Sequence, residues 1–239
     1  MNIVVDYGNS AAKVGIFDQR QLLEQRVFGT PSELKNFLQN FSADHFIIST
    51  VTEDAATVSA WATNVRKKFI LDKSLPIPIN NHYGTPDTLG VDRIAGVCGA
   101  QGMFPGENCL VIDAGTCITY DFLDRSATFL GGGISPGLRM RFQAVHTFTA
   151  KLPLINPVDE VPLIGDSTES CIQSGVINGL ISELNGTIAQ YREKFEGLQV
   201  ILSGGDARFF ENKLKGFIFA VPELVLSGLN SILIYNVRQ

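Results

Sequence analysis

Two copies of one short pattern constrain this chain more than any other feature. Val4-Val5-Asp6-Tyr7-Gly8-Asn9-Ser10 lies over Val111-Ile112-Asp113-Ala114-Gly115-Thr116-Cys117, 107 positions further along a chain of 239 residues. In each copy an apolar run ends in Asp-x-Gly and a second apolar run follows. That reads as a β-hairpin closed by a tight turn. The spacing is close to half the chain, so two similar lobes are expected, each led by its hairpin; two copies are too few for a solenoid. The first copy gathers the Asp6 carboxylate, Gly8, the Asn9 amide, the Ser10 hydroxyl and the Lys13 ammonium into eight positions. Backbone N–H groups at such a turn can approach phosphate oxygens, Lys13 adds a cation, and Asp6 can hold a metal or its water. The same residues would also serve a hairpin in which Asp and Asn merely make the turn.

The length allows a sizeable core in one large or two small lobes. A net charge of −5 argues against a general nucleic-acid binder, although a few local cations and N–H groups still suffice for ATP. Cys98, Cys109, Cys117 and Cys171 form no C-x-x-C pair. That spacing argues against a zinc site or redox dithiol and predicts buried, reduced thiols. No window approaches the ~18 apolar residues of a membrane span and no leader pattern opens the chain, so a cytoplasmic protein with no membrane partner is expected.

Between the two hairpins the pattern alternates. Thr30-Pro31-Ser32-Glu33 is a capping box with proline at the first helical position, followed by Leu34, Phe37, Leu38 and Phe41 at helical spacing. Residues 45–51 read as a buried strand. Thr52-Glu53-Asp54 opens a helix expected to end at Arg66-Lys67-Lys68, where cations suit a helix C-terminus. This β/α alternation predicts a mainly parallel or mixed sheet. Gly90-Val91-Asp92-Arg93 then leads into a helix rich in small residues (Ala95, Gly96, Gly99, Ala100), which lets another backbone come close. Asp92 suits a helix N-terminus by charge alone. After the second hairpin come Gly131-Gly132-Gly133, a helix from Pro136 to about His146, a proline-rich stretch over 151–166, and a long helix from Ser167 through Phe195 with a possible break near Gly186. A Ser203-Gly204-Gly205-Asp206 turn and a closing helix over 222–237 complete the chain.

The ordered set resembles the sugar kinase, Hsp70 and actin superfamily and, more narrowly, the type III pantothenate kinases. The residues that carry the likeness are Asp6-Tyr7-Gly8-Asn9-Ser10 with Lys13, Tyr83-x-x-Pro86, Gly90-Val91-Asp92-Arg93, Asp113-Ala114-Gly115-Thr116, Gly132-Gly133-x-x-Pro136-Gly137 and Thr168. Ser10 stands where threonine is commoner, which keeps the hydroxyl. The resemblance implies an α/β fold of two actin/hexokinase-like lobes, each a mixed β-sheet with flanking helices, over residues 1–108 and 109–239. It implies transfer of the γ-phosphate of ATP, carried with Mg2+, to the primary hydroxyl of pantothenate in coenzyme A biosynthesis; a non-catalytic regulatory homologue of the same fold is the alternative.

Carried onto this sequence, the resemblance places ATP on Asp6, Tyr7, Gly8, Asn9, Ser10, Ala11, Ala12, Lys13 and Thr116, with Gly204 and Gly205 near the adenosine. Pantothenate falls to Tyr83, Gly90, Val91, Asp92, Arg93 and Thr168. Asp92 is the expected catalytic residue, accepting the alcohol proton, and Arg93 offers a planar fork to a carboxylate. Asp113 corresponds to a metal ligand for a monovalent cation, K+ or NH4+. A homodimer is implied as well. A degenerate homologue would be expected to have lost Asp6, Lys13, Asp92 or Asp113, and all four are present.

Overall fold

The computed structural model describes residues 1–8, 11–50 and 54–239. The first apolar run forms β1 (Asn2–Tyr7), which pairs antiparallel with β2 (Ala12–Asp18). A third strand, β3 (Gln21–Phe28), extends the meander. Most of its residues are exposed, because it forms the edge of the sheet. Helix α1 (Pro31–Asn40) starts on the expected capping box, with Glu33 N donating to Thr30 Oγ1 and Thr30 N donating to Glu33 Oε2. Its buried Leu34 and Leu38 face the sheet. β4 (Ala43–Thr50) runs parallel to β1.

Asp54 caps α2 (Ala55–Trp61); the expected opening at Thr52-Glu53 lies outside the described residues. The basic trio departs from expectation. Arg66, Lys67 and Lys68 lie on β5 (Val65–Ile70), an edge strand parallel to β4. Charged side chains there discourage pairing with another chain. Lys68 Nζ nonetheless reaches back to the Ser59 carbonyl in the last turn of α2 at 3.0 Å.

Short β6 (Asn80–Asn81) and a 3-10 turn at Pro86–Thr88 lead into α3 (Val91–Met103). The second hairpin is β7 (Cys109–Ala114) and β8 (Cys117–Leu123), continued by β9 (Thr128–Pro136). Then follow α4 (Leu138–Thr147) and α5 (Thr168–Lys194). Helix α5 is continuous: Gly186 sits on its exposed face, and the roughly 0.5–1 kcal/mol that a mid-helix glycine costs is too small to break a helix anchored on Leu184 and Ile188. β10 (Gln199–Ser203), α6 (Ala207–Glu211), β11 (Phe219–Ala220) and α7 (Leu224–Val237) close the chain. None of the helices among the described residues is long and apolar enough to cross a membrane.

The repeat seen in the sequence is a repeat of topology. One sheet has the order β3-β2-β1-β4-β5; the other has the order β6-β9-β8-β7-β10-β11, in which β9 to β11 take the corresponding places and β6 is added beyond β9. Two compact units result. One contains residues 1–106, 123–130 and 223–239; the other contains 107–122 and 131–222. In the first, Ile3, Val5, Val14, Phe46 and Ile48 pack under α1 and α2, while α7 packs against β1 and β4. The small residues of α3 serve that packing. A Cβ on Gly228 of α7 would overlap the Ala95 carbonyl, and one on Gly99 would overlap the Leu224 carbonyl. The close neighbour of the small-residue helix is therefore α7 of the same chain. In the second unit, Leu110, Ile112, Val200 and Leu202 pack on Ile177, Leu180 and Leu184 of α5.

Candidate active site

In the first unit the hairpin places Asp6 opposite Lys13 and Tyr7 opposite Ala12, and Gly8 N donates to the Ala11 carbonyl at 3.2 Å. Asn9 and Ser10 lie outside the described residues. On its other side Asp6 faces Ser49 of β4, whose Oγ donates to Asp6 Oδ1 at 3.0 Å. Burial pushes the Asp6 carboxyl up from its ordinary value of 3.8, and the charge of Asp92 adds to the rise; the Ser49 hydrogen bond and Lys13 oppose it. Asp6, Lys13 and Asp92 thus share one electrostatic neighbourhood.

Helix α3 opens at Gly90, where a side chain would run into Asp92 Oδ1. Glycine leaves that space to the carboxylate. Val91 is the first helical residue, half-buried. Asp92 follows, exposed, in the positive first turn, with Oδ1 accepting the Arg93 N–H at 2.9 Å. Arg93 is 9% exposed. Its guanidinium lies 5.3 Å from the centroid of the Tyr83 ring, and Nη1 donates to the Tyr83 hydroxyl at 3.5 Å. Tyr83 is turned by a hydrogen bond from its backbone N to Asn81 Oδ1 at 3.0 Å. Asp92, Arg93 and Tyr83 therefore form one cluster, although ten positions separate Tyr83 from Arg93.

The second unit holds Asp113, Thr116 and Thr168. Gly115 N donates to the Cys117 carbonyl at 2.9 Å, which closes the turn and leaves Thr116 exposed at its tip. Two other backbone segments press on this turn. Gly137 N donates to the Thr116 carbonyl at 3.1 Å, and a Cβ at Gly137 would overlap the Gly115 and Thr116 carbonyls. Gly204 has φ +94°, and a Cβ there would overlap Asp113 Oδ1 and the Ala114 carbonyl. Asp206 N donates to that same Ala114 carbonyl at 2.9 Å. The late glycine turn is thus attached to the second hairpin, and its Gly205 opens onto free space. Thr168 is the first residue of α5, exposed, with Ser167 as its cap.

A charged network supports the β9–α4 corner behind Gly137. Arg141 donates to Glu183 Oε2 at 2.6 Å, to Ser135 Oγ at 2.7 Å and to the Pro136 carbonyl at 2.8 Å; Tyr120 donates to Glu183 Oε1 at 3.0 Å. Burial works to raise the Glu183 carboxyl, but these hydrogen bonds outweigh it and hold the group below its ordinary value.

Sequence reasoning did not single out Ser49, Phe129 or this network. A serine closing an apolar strand is a weak signal, and the other two depend on pairings distant in sequence. The expectation of four buried thiols holds for Cys98 and Cys109, the latter pushed up to about 12 by burial, then by Glu107. Cys117 is half-buried and Cys171 exposed, because Cys171 falls on the outer face of the first turn of α5.

The donor set fits a magnesium–triphosphate. Asp6 is a carboxylate in a partly shielded site, where a hard cation would relieve the cost of its charge. Among the described residues no three His, Cys, Asp or Glu side chains gather to hold a metal by themselves, so a divalent ion would take most of its ligands from phosphate and water.

The duplicated hairpin-led sheet is a fold shared with solved sugar kinases. A glucokinase from an Antarctic psychrotroph matches the fold with a TM-score of 0.55 over 98% of either chain, at 11% identity. A Campylobacter jejuni protein described as a Baf family transcriptional activator matches with a TM-score of 0.67 over 99% of this chain and 100% of its own, at 21% identity. Within that class, the chain belongs to the type III pantothenate kinase family, which matches residues 2–190. It is 45% identical to a type III pantothenate kinase of Christiangramia forsetii over 100% of both chains, and 44% identical to one of Phocaeicola vulgatus over 99% of both.

Proposed function

We propose that the chain transfers the γ-phosphoryl group of MgATP to the primary hydroxyl of pantothenate, giving 4'-phosphopantothenate in coenzyme A biosynthesis. Family membership across most of the chain is the observation that carries this reading. Phosphoryl transfer needs alignment, charge neutralisation and a group for the alcohol proton. Asp92 takes that proton late, as the alcohol oxygen bonds to phosphorus. The exposed carboxylate at the positive end of α3 suits the role. Arg93 holds the pantothenate carboxylate, with Tyr83, Gly90, Val91 and Thr168 as further contacts. Asp6 and Lys13, with Tyr7, Gly8, Asn9, Ser10, Ala11 and Ala12, bind the phosphates from one hairpin; Thr116 does so from the other, with Gly204 and Gly205 by the adenosine. Magnesium, when bound with ATP, neutralises charge on the phosphates.

Asp113 is the candidate ligand for a monovalent cation, K+ or NH4+, which the oxygen donors at the second hairpin would suit. A cytoplasmic homodimer completes the reading. It is supported by the family resemblance and by the exposed apolar side chains Phe148, Leu163 and Ile164 in the stretch preceding Thr168. A coupled assay with MgATP and pantothenate, run with and without K+ or NH4+, tests the activity; folded protein with no turnover under any cation refutes it. Sedimentation analysis tests the dimer.

A further inference from the structure

The β8–β9 hairpin carries an aromatic ring to the Arg93 cluster. Residues 123–130 belong to the same compact unit as α3. Within them Phe129 is fully buried, at 0% exposure. Its ring lies parallel to that of Tyr83, with centroids 5.9 Å apart and planes 6° from parallel. The Arg93 guanidinium sits 5.9 Å from the Phe129 centroid and 5.3 Å from that of Tyr83. Both distances are within the range in which a cation is attracted to a ring face.

The backbone fixes this ring firmly. β6 pairs with β9 so that Asn81 stands opposite Phe129, and His82 N donates to the Phe129 carbonyl at 3.0 Å. Asn80 N donates to the Ala127 carbonyl at 2.8 Å. The segment that presents Tyr83 is therefore laced to the segment that presents Phe129. One arginine is held against two rings whose mutual placement is set by a strand pairing.

We infer that Phe129 is a positioning residue for substrate recognition: its ring, stacked with Tyr83, holds the Arg93 guanidinium ready for an anionic group on the substrate. A free arginine side chain must lose rotamer freedom when it binds an anion; one already held loses less, so affinity rises without a new contact to the ligand. The inference rests on Arg93 being the anion-holding group, as proposed above. It adds a residue that touches no substrate atom yet sets how well Arg93 works.

The test uses the full chain and steady-state kinetics. Phe129→Leu and Phe129→Met remove the ring but keep apolar volume, and Phe129→Tyr keeps the ring face. The first two should raise the pantothenate KM about tenfold while kcat and the ATP KM stay within about twofold. Phe129→Tyr should keep the parent KM. Phe142→Leu, which removes a buried ring elsewhere, should leave the pantothenate KM unchanged. With an analogue whose carboxylate is replaced by a neutral amide, parent and Phe129→Leu should differ little.

The inference is overturned if Leu and Met variants bind pantothenate as the parent does while Arg93→Gln raises its KM. It is overturned too if kcat and both KM values degrade together, the result of mere destabilisation. If Arg93→Gln itself leaves the pantothenate KM unchanged, the underlying assignment of Arg93 fails instead.

Discussion

Ser49 Oγ donates a 3.0 Å hydrogen bond to Asp6 Oδ1 across the parallel pair β1–β4, and Ser49 is only 1% exposed. A buried hydroxyl bonded to this partly shielded carboxyl favours the ionised form, against the desolvation that favours the neutral one. Ser49→Ala should leave Asp6 taking up its proton at higher pH. The acid limb of kcat/KM for MgATP should move upward, with a loss of about tenfold on that limb. Superimposable pH profiles for parent and variant would separate Ser49 from the function of Asp6.

The second copy repeats the register but not the bond. Ser203 stands opposite Asp113 on β10 and is also 1% exposed, yet its Oγ has no hydrogen-bond partner among the described residues. An unpaired buried hydroxyl costs about 1–3 kcal/mol. In buffer free of K+ and NH4+, Ser203→Ala should therefore unfold at an equal or higher denaturant midpoint than the parent, whereas Ser49→Ala should fall below it. Chemical denaturation of the three proteins side by side decides this; a clear loss for Ser203→Ala would mean that its hydroxyl is satisfied in solution.

Asp92→Asn keeps the shape of the helix start and removes the carboxylate proposed to accept the alcohol proton. Turnover should drop by about 10²–10⁴, while calorimetry should still detect pantothenate. The asparagine retains an oxygen to accept the Arg93 N–H, so α3 should keep its first turn. Near-normal turnover would remove Asp92 from the chemistry.

Gly228→Ala tests the crossing of α3 and α7. Its Cβ has no room beside the Ala95 carbonyl and Gly99 N. Backbone atoms cannot swing aside as a flexible side chain does, so overpacking should cost at least about 1–3 kcal/mol. A thermal midpoint unchanged from the parent would show that the helices separate easily.

What was legible in the sequence was local or repeated. The Thr30–Glu33 capping box, the 34–41 spacing and the start of α5 follow from neighbours within a few positions. The two hairpins were readable because they occur twice. Arg66-Lys67-Lys68 misled because cations suit both a helix end and an edge strand; pairing with β4 decided for the strand. The small residues of α3 announced a close neighbour without naming it, since α7 lies more than 120 positions away. Asp92 and Arg93 were visible as a motif, but Phe129 was not: its role depends on β6 meeting β9, a pairing of two residues with no sequence signature of its own.

The pH dependence of stability offers a last check on the partly buried carboxyls. Asp206, like Asp6, is raised above its ordinary value of 3.8 by burial, with Arg139 opposing. A carboxyl with a raised folded pKa binds its proton more tightly in the native state than in the unfolded chain. Between the two values the native protein holds the extra proton, and stability falls as pH rises through that window. Exposed carboxyls such as Asp54 and Asp72 are lowered by hydrogen bonds and act in the opposite sense, so the parent curve alone is uninformative. The difference between parent and variant isolates the effect. In ligand-free protein, Asp6→Asn and Asp206→Asn should each gain stability relative to the parent as pH rises from about 4 into the neutral range. Denaturant midpoints at several pH values measure it. A difference that is flat with pH, or that shrinks as pH rises, would show that these carboxyls are not held in the desolvated state that the fold gives them.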